Sequence, residues 1–594
     1  MATAPGAPRA LELLAGAATG LLAGAAVVAL EAAQGMTAGA SALPEAEPGV
    51  APLLALSVLA GAVFAAVFRH RAGGLAATVV GGLVAGFIWW VVRSLTLLPL
   101  LAGEPLTWSL AEATAAFPFL VGDLLFGGLL GLGLHAFVSL YLRLRPAAAR
   151  APEPKGRPPT RVVVLGGGFG GVAVAQGLER RLAGATGVEV TLVSDSNYLL
   201  FTPMLAEVAS GSLEPRHISA PLRAACPRTV LRRAQVEGID ISARTVWLRE
   251  TATDPAVPLL YDHLVLALGG VPDYRAIPGL AEHAFALKTL EDAAGLRDHL
   301  IGLLERADAE TNVEERRRQL TVVVTGGGFA GAELVAELFD LVHGVLHHYP
   351  HLERGELRFV LVHSRDRILP EISDGLAAYA LAKLRDKGIE FRLSRRVAAL
   401  DPEEVELDDG ERLSTRTLVW TAGNRPHPLL ADLPFTRSRA GAVVCDATTQ
   451  VADTSSVWAV GDCAAIPDPD APGTDYPTTA QHALREGAVT AVNIAGTLQG
   501  RPARPFRYRS VGMLVVLGHQ QAVAEIRGLR FSGLTAWLLW RGIYLAKLPG
   551  LERKVRVLLD WTLDLFFPRD IVVVPPARRS ADLPGGRDQL ERAA

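Results

Sequence analysis

Two glycine runs carry the first chemical signal in this chain of 594 residues. Gly166-x-Gly168-x-x-Gly171 follows the apolar stretch "RVVVL", and Gly326-x-Gly328-x-x-Gly331 follows "LTVVVT". In such a run the glycines permit a tight turn and let the backbone approach a pyrophosphate, whose charge meets a helix N-terminus. A lone copy is a weak signal. A strand before and a helix after each run make it specific, and two complete copies imply two dinucleotides. The other reading is a duplicated domain in which one copy has lost its ligand.

Each copy is followed by a second strand, and the two strand ends differ. "VEVTLVSD" ends at Asp195, an acid of the kind that grips a ribose. "FVLVHSRD" (Phe359–Asp366) ends instead in His363, Ser364 and Arg365. An acid at His363 would bond a ribose 2′-OH and repel a 2′-phosphate. Here nothing repels that phosphate, and Ser364 and Arg365 are placed to bond it. Against this stands an Arg365 that points to solvent while an unphosphorylated ribose binds. Three further segments complete the pattern. "YDHLVLALGG" contains Gly269, "TLVWTAGNRP" contains Gly423, and "SVWAVGDCA" ends a strand at Gly461-Asp462.

Spaced in this order, from about Arg161 to Pro568, these segments resemble a type II NADH dehydrogenase, a single-subunit NAD(P)H:quinone oxidoreductase. "NYLLFTPMLAEVASGSLEPRHI" (Asn197–Ile218) resembles the family's segment along the flavin, and "PTTAQHALREG" its Ala-Gln quinone motif. "RGLRFSGLTAWLLW" and "LFFPRDIVVV" resemble its membrane-binding end. The resemblance implies FAD as cofactor, NADH and/or NADPH as substrate, and a membrane quinone as acceptor, without proton pumping. It places Asp462 on the FAD ribityl chain, Gly269 and Gly423 where the chain passes between domains, and Ala480 and Gln481 at the quinone. It brings Glu333 to the flavin edge for proton delivery, against the plainer role of an acid favoured near a helix N-terminus. The chain departs from the motif at Arg485, where a second glutamine is usual, which puts the quinone head-group preference in doubt.

The elements that must hold these residues follow from hydrophobic patterning. The expected fold is α/β, with two Rossmann-type dinucleotide-binding domains, an all-α transmembrane bundle before them and amphipathic membrane helices after them. The expected division is 1–145 transmembrane, 146–159 Pro-rich linker, 160–305 and 426–505 FAD-binding, and 306–425 NAD(P)H-binding. Residues 506–575 then form a membrane-associating and quinone-site region, and 576–594 a polar tail. Four apolar runs, Leu11–Leu30, Val50–Phe68, Gly73–Val92 and Phe117–Leu142, are each long enough for a ~30 Å hydrocarbon layer. Basic "RHR" (Arg69–Arg71) and Arg143–Arg157 place both bundle ends, and the catalytic domains, on the cytoplasmic side of a cell (inner) membrane. Arg93 is the exception. Gly16, Gly20 and Gly24, with Gly82/Gly86 and Gly127/Gly131, have the spacing of close helix packing, although glycine is also common in membrane helices. Asp123 within the fourth run is either a proton or quinone path residue or a packing residue.

At the other end, Trp537, Trp540 and Tyr544 with Arg541 and Lys547, then "LERKVRVLLDWTLDLFF", suit helices lying in a membrane interface. A homodimer interface or a core helix is the alternative. Net charge of −3 gives no footprint for nucleic acid. Cys226, Cys445 and Cys463 have neither CxxC nor metal-site spacing, so no metal is expected. The rival readings are a sulfide:quinone oxidoreductase, which needs a cysteine pair, and a membrane-anchored flavin redox sensor with little turnover.

Overall fold

The computed structural model describes residues 9–33, 50–67, 74–94, 110–144 and 158–573, apart from 184, 186 and 276. The basic loop Arg69–Arg71, most of the Pro-rich linker and the polar tail lie outside the described residues. By contacts the chain divides into two compact units, one of Met1–Arg150 with Gly550–Glu552 and one of the remainder.

The N-terminal unit holds four described helices: Arg9–Ala33, Val50–Val67, Gly74–Val92 and Leu110–Leu144. Glycines set their contacts. A Cβ added at Gly16 would meet the backbone of Gly61, and one at Gly20 that of Ser57. Gly82 and Gly127 face each other backbone to backbone, and Gly86 faces the Asp123 carbonyl. The four-residue spacing therefore marks helix-to-helix approach. Arg93 and Asp123 form an ion pair at 2.8 Å, with the Asp123 side chain 4% exposed. Each accounts for the other: the stray cation and the buried acid neutralise one another. Four expected spans are four helices, but among the described residues only Phe119–Tyr141 is long and apolar enough to cross a membrane. The apolar stretches Leu13–Ala29, Leu54–Ala66 and Gly81–Trp90 are shorter.

In the second unit, one parallel sheet runs in the order Val457–Ala459, His263–Leu266, Thr160–Leu165, Val188–Ser194, Val230–Arg233. Another runs Glu390–Leu393, Arg358–His363, Thr321–Thr325, Thr417–Trp420, also parallel. The central strands are apolar along their length because both faces are covered, as parallel sheets require; Val162 to Leu165 are almost wholly buried. Register pairs Leu165 with Val193 and Leu266, and Leu266 with Ala459. Gly166, Asp195, Gly269 and Gly461 therefore emerge along one edge, the carboxyl edge where ligands of such sheets bind. In the second sheet Thr325 pairs with Val362 and Trp420, which puts Gly326 and His363 on a matching edge.

The short antiparallel ribbon Gly270–Pro272 with Asn424–Pro426 joins the two sheets' territories, so Gly269 and Gly423 stand at its ends. Beyond it come the antiparallel strands Gly512–Val516, Ala522–Ile526 and Leu529–Ser532, then helices Gly533–Lys547 and Leu551–Leu563. Here the sequence expectation needs correcting. Trp537 and Trp540 are 6% and 1% exposed and belong to the core shared with the second sheet, not to an interface with lipid. The Arg541 guanidinium lies 3.8 Å from the Trp537 ring centroid and 4.8 Å from that of Trp561. Aromatic and basic residues at helical spacing look alike whether the face meets lipid or protein. The exposed large apolar side chains of this segment include Leu534, Leu538, Leu559, Leu563, Phe566 and Phe567.

Candidate active site

The two glycine turns are near copies. Gly166 and Gly326 both have φ +113°, a left-handed conformation that disfavours any side chain. A Cβ on Gly171 would strike the Gly166 carbonyl, and one on Gly331 that of Gly326, so strand and helix meet through glycine. The helices begin at Phe169 and Phe329, capped by Gly168 and Gly328 at φ −78°. These middle glycines are different in kind. Their dihedrals suit any residue, and a Cβ there meets nothing within 4 Å. Among the described residues nothing requires glycine at either place. A ligand that lies against the backbone does, and the pyrophosphate of a dinucleotide fits that cradle.

Around the first turn, Asp195 presents an exposed carboxylate that also accepts from the Ser196 N–H at 2.7 Å. Gly461 holds φ +67°, and its N–H donates to Glu486 at 2.7 Å. Glu486 is buried, and desolvation pushes its carboxyl up to about 7 against that hydrogen bond. Asp462 is also raised by burial, with Lys288 opposing the rise. Its carboxylate lies against Gly270, where an added Cβ would come within 2.9 Å of it. Sequence reasoning misses Lys288 and Glu486: Glu486 follows Arg485 in a helix with nothing to single it out, and Lys288 lies in a loop with no motif around it.

The helix Ala480–Thr497 packs on the first glycine helix through small residues. A Cβ on Gly487 would meet the Gly170 carbonyl, and Gly177 abuts Ala491. That contact fixes the helix N-terminus, with Ala480 and Gln481, beside the first turn. Thr479 caps it, and the Gln481 Oε1 accepts from the Tyr508 hydroxyl at 2.9 Å.

Around the second turn, Glu333 lies beyond the first turn of helix Phe329–Val345, so the plain helix-N-terminus explanation does not hold. Its carboxylate accepts from the Val516 N–H at 3.2 Å and is pushed up to about 8, chiefly by desolvation. One turn further, Glu337 accepts from Ser210 at 2.8 Å and Arg569 at 3.0 Å; burial raises it and Arg569 opposes. Glu207, from the segment Asn197–Ile218, accepts from the Trp561 indole at 2.9 Å and is held well above the ordinary carboxyl value by burial and by Glu337. Three separate stretches of sequence thus meet in one buried acidic cluster. His363 Nδ1 accepts from the Gly327 N–H at 3.0 Å, and burial followed by the Arg365 charge lowers its pKa. Ser364 and Arg365 are exposed at the same strand end.

Cys226, Cys445 and Cys463 are buried and free. Burial pushes Cys226 and Cys463 up to about 12, far from the thiolate that disulfide chemistry needs. Among the described residues no cluster suits a metal.

Two parallel sheets, each with a ligand-demanding glycine turn, define a two-dinucleotide oxidoreductase. The profile of the pyridine nucleotide-disulphide oxidoreductases matches residues 160–487, and that of the NDH2 C-terminal domain matches 511–570. A probable NADH dehydrogenase of Dictyostelium discoideum is 30% identical over 69% of this chain and 90% of its own. The type II NADH:quinone oxidoreductase Ndh of Mycobacterium tuberculosis is 30% identical over 70% and 91%, and the demethylphylloquinone reductase NdbB of Synechocystis 32% over 68% and 95%. In fold, the chain is similar to NDH2 from Plasmodium falciparum in complex with NADH, with TM-score 0.64, 18% identity, and coverage of 70% and 100%. The chain belongs to the type II NADH dehydrogenases within the pyridine nucleotide-disulphide oxidoreductase family. Membership carries the family's chemistry: oxidation of NAD(P)H through FAD, with a quinone as acceptor.

Proposed function

We propose that this enzyme works at a membrane face, taking reducing equivalents from NAD(P)H at the second glycine turn and delivering them to a quinone at Gln481. The observation that carries the reading is the helix Ala480–Thr497. Its glycine contact with the first turn's helix puts an amide side chain next to the FAD cradle. Bound FAD supplies the two-electron relay between nicotinamide and acceptor. The chain's own groups do the rest. Gly166, Gly168 and Gly171 seat the FAD pyrophosphate, Asp195 holds its ribose, and Asp462 holds the chain between ribose and ring. Gly326, Gly328 and Gly331 seat the nicotinamide nucleotide. Glu333, protonated at neutral pH, holds the proton that quinone reduction consumes beyond the one carried by NADH.

In this reading 160–305 and 426–505 form the FAD domain and 306–425 the NAD(P)H domain. The exposed leucines and phenylalanines of 534–567 meet lipid, as suits large apolar side chains left uncovered in a segment of this family's C-terminal end. The N-terminal helices anchor the chain through the span Phe119–Tyr141, with the three shorter apolar helices completing a multi-pass bundle through their glycine contacts, and with the catalytic unit on the cytoplasmic side. They anchor and do not pump: the buried acid of the bundle, Asp123, is paired with Arg93. Proteoliposomes oxidising NADH with quinone should therefore show no acidification.

Anaerobic stopped-flow tests the core of the reading. NADH should bleach the flavin, and ubiquinone or menaquinone should restore its colour over many turnovers. Rapid bleaching with no quinone-driven recovery would sink it and favour the redox sensor. In a catalytic unit lacking 1–157, serine at Leu534, Leu538, Phe566 and Phe567 should lower flotation with liposomes; flotation equal to that of the unsubstituted unit would remove lipid from this face.

A further inference from the structure

Arg485 stands where the family motif has a second glutamine, and its side chain stacks on an aromatic ring. The guanidinium carbon lies 4.1 Å from the centroid of the Tyr508 ring, close stacking for a cation on an aromatic face. One of its N–H groups also donates to the Gln481 backbone carbonyl at 3.1 Å, which holds the stack in place along the helix. The Tyr508 hydroxyl in turn donates to Gln481 Oε1 at 2.9 Å. Tyr508 is further braced by the His482 ring, edge to face at 5.1 Å, and its backbone N–H donates to the Tyr476 hydroxyl at 3.4 Å. His482 is itself locked, with Nδ1 2.8 Å from the Thr479 hydroxyl.

We infer that Arg485 and Tyr508 are positioning residues that set which end of the Gln481 amide faces the acceptor. This rests on the reading that Gln481 contacts the quinone. A carboxamide has an accepting end and a donating end of almost equal shape. A quinone carbonyl only accepts, so Gln481 is useful in one orientation, with its NH₂ outward. A flipped amide would set oxygen against oxygen. A hydrogen bond from Tyr508 to Oε1 selects the useful orientation, and the cation over the phenol ring withdraws electron density, making its O–H the better donor. The NH₂ then meets the carbonyl oxygen as negative charge gathers there on reduction, where a preorganised donor counts most. The motif's departure at Arg485 thus replaces a second direct donor by control over the first. It also leaves one motif amide at the head group, which suits a quinone that offers one carbonyl to this helix.

The test uses the full-length holoenzyme and follows flavin reduction by NADH and reoxidation by ubiquinone-1 separately. Tyr508→Phe and Arg485→Leu should each cut the ratio of reoxidation to reduction rate by about three- to tenfold, the range of one lost orienting hydrogen bond. Arg485→Lys, which keeps the charge without the planar stack, should recover part of the loss. In a double-mutant cycle, Tyr508→Phe should add little to Gln481→Ala, since the tyrosine has nothing left to orient. Additive losses, or a Tyr508→Phe ratio equal to the native one beside an impaired Gln481→Ala, would overturn the inference. An unimpaired Gln481→Ala would instead overturn the quinone contact on which it rests.

Discussion

His363 Nδ1 accepts the Gly327 N–H at 3.0 Å, so the ring proton sits on Nε2, a buried atom without a partner among the described residues. Burial and the Arg365 charge lower its pKa and so favour the neutral ring, and the Gly327 hydrogen bond fixes the tautomer. The strand that should end in a ribose-gripping acid thus ends in a donor tied to the glycine turn itself. With no acid at this strand end, and with Ser364 and Arg365 exposed beside it, a 2′-phosphate is accommodated rather than repelled. NADPH oxidation should be measurable, and His363→Glu should shift the ratio of kcat/KM toward NADH by about tenfold or more, each factor of ten being about 1.4 kcal/mol. A native enzyme inert towards NADPH would refute this.

The middle glycines separate the two sites. Gly168→Ala should leave the fold intact, because nothing surrounds the new methyl, yet the purified protein should lose most of its bound FAD. Gly328→Ala should keep FAD and raise the KM for NADH by about tenfold or more. Gly171→Ala and Gly331→Ala should instead lower the melting temperature, since each methyl strikes a backbone carbonyl. Flavin content, KM and melting curves on four proteins decide it; a Gly168→Ala protein with full FAD content contradicts the cradle.

Glu333 gives a pH signature. Its folded-state pKa of about 8 lies above the ordinary 4.5, so the neutral form is the one folding favours. Its contribution to stability is complete below about 4.5 and is progressively lost as pH rises to about 8. Quinone-dependent turnover should fall along a limb centred near pH 8, and Glu333→Gln should flatten that limb while lowering the plateau. A native profile flat from pH 7 to 9 would remove Glu333 from proton delivery.

Arg569 binds Glu337 and Asp564 with only 10% of its side chain exposed. Arg569→Ala strands both acids and should cost about 3–5 kcal/mol in urea unfolding. Adding Glu337→Gln should return part of that loss. Equal stability of single and double variants would show that the pair is not coupled.

Local signals were legible in the sequence. Both glycine turns, the strands before them, the acid at Asp195 and the Gly461-Asp462 turn depend on neighbours a few residues away, and each stands where spacing put it. The ends of chains of contact were not legible. Tyr508 lies 27 residues from Gln481 and has no motif of its own. The burial of Trp540 depends on what covers a helix face, which composition cannot state. The acidic cluster joins Glu207, Glu337 and Trp561, and no periodicity links such distant positions. In the N-terminal unit the glycine spacing spoke clearly, because backbone approach is a property of small residues. The length of each span did not, because apolar runs continue past the apolar part of a helix.

The Arg569–Glu337 pair spans 232 residues of sequence, and that distance is also a time. At about 5–20 residues per second, the ribosome makes the acid roughly 10–50 s before its partner. During that interval the helix Phe329–Val345 carries an acid without its cation, and it can settle fully only when the end of the chain arrives. A nascent or prematurely ended chain is therefore held short of its final packing, an opening that chaperones and proteases can recognise before any electron is transferred.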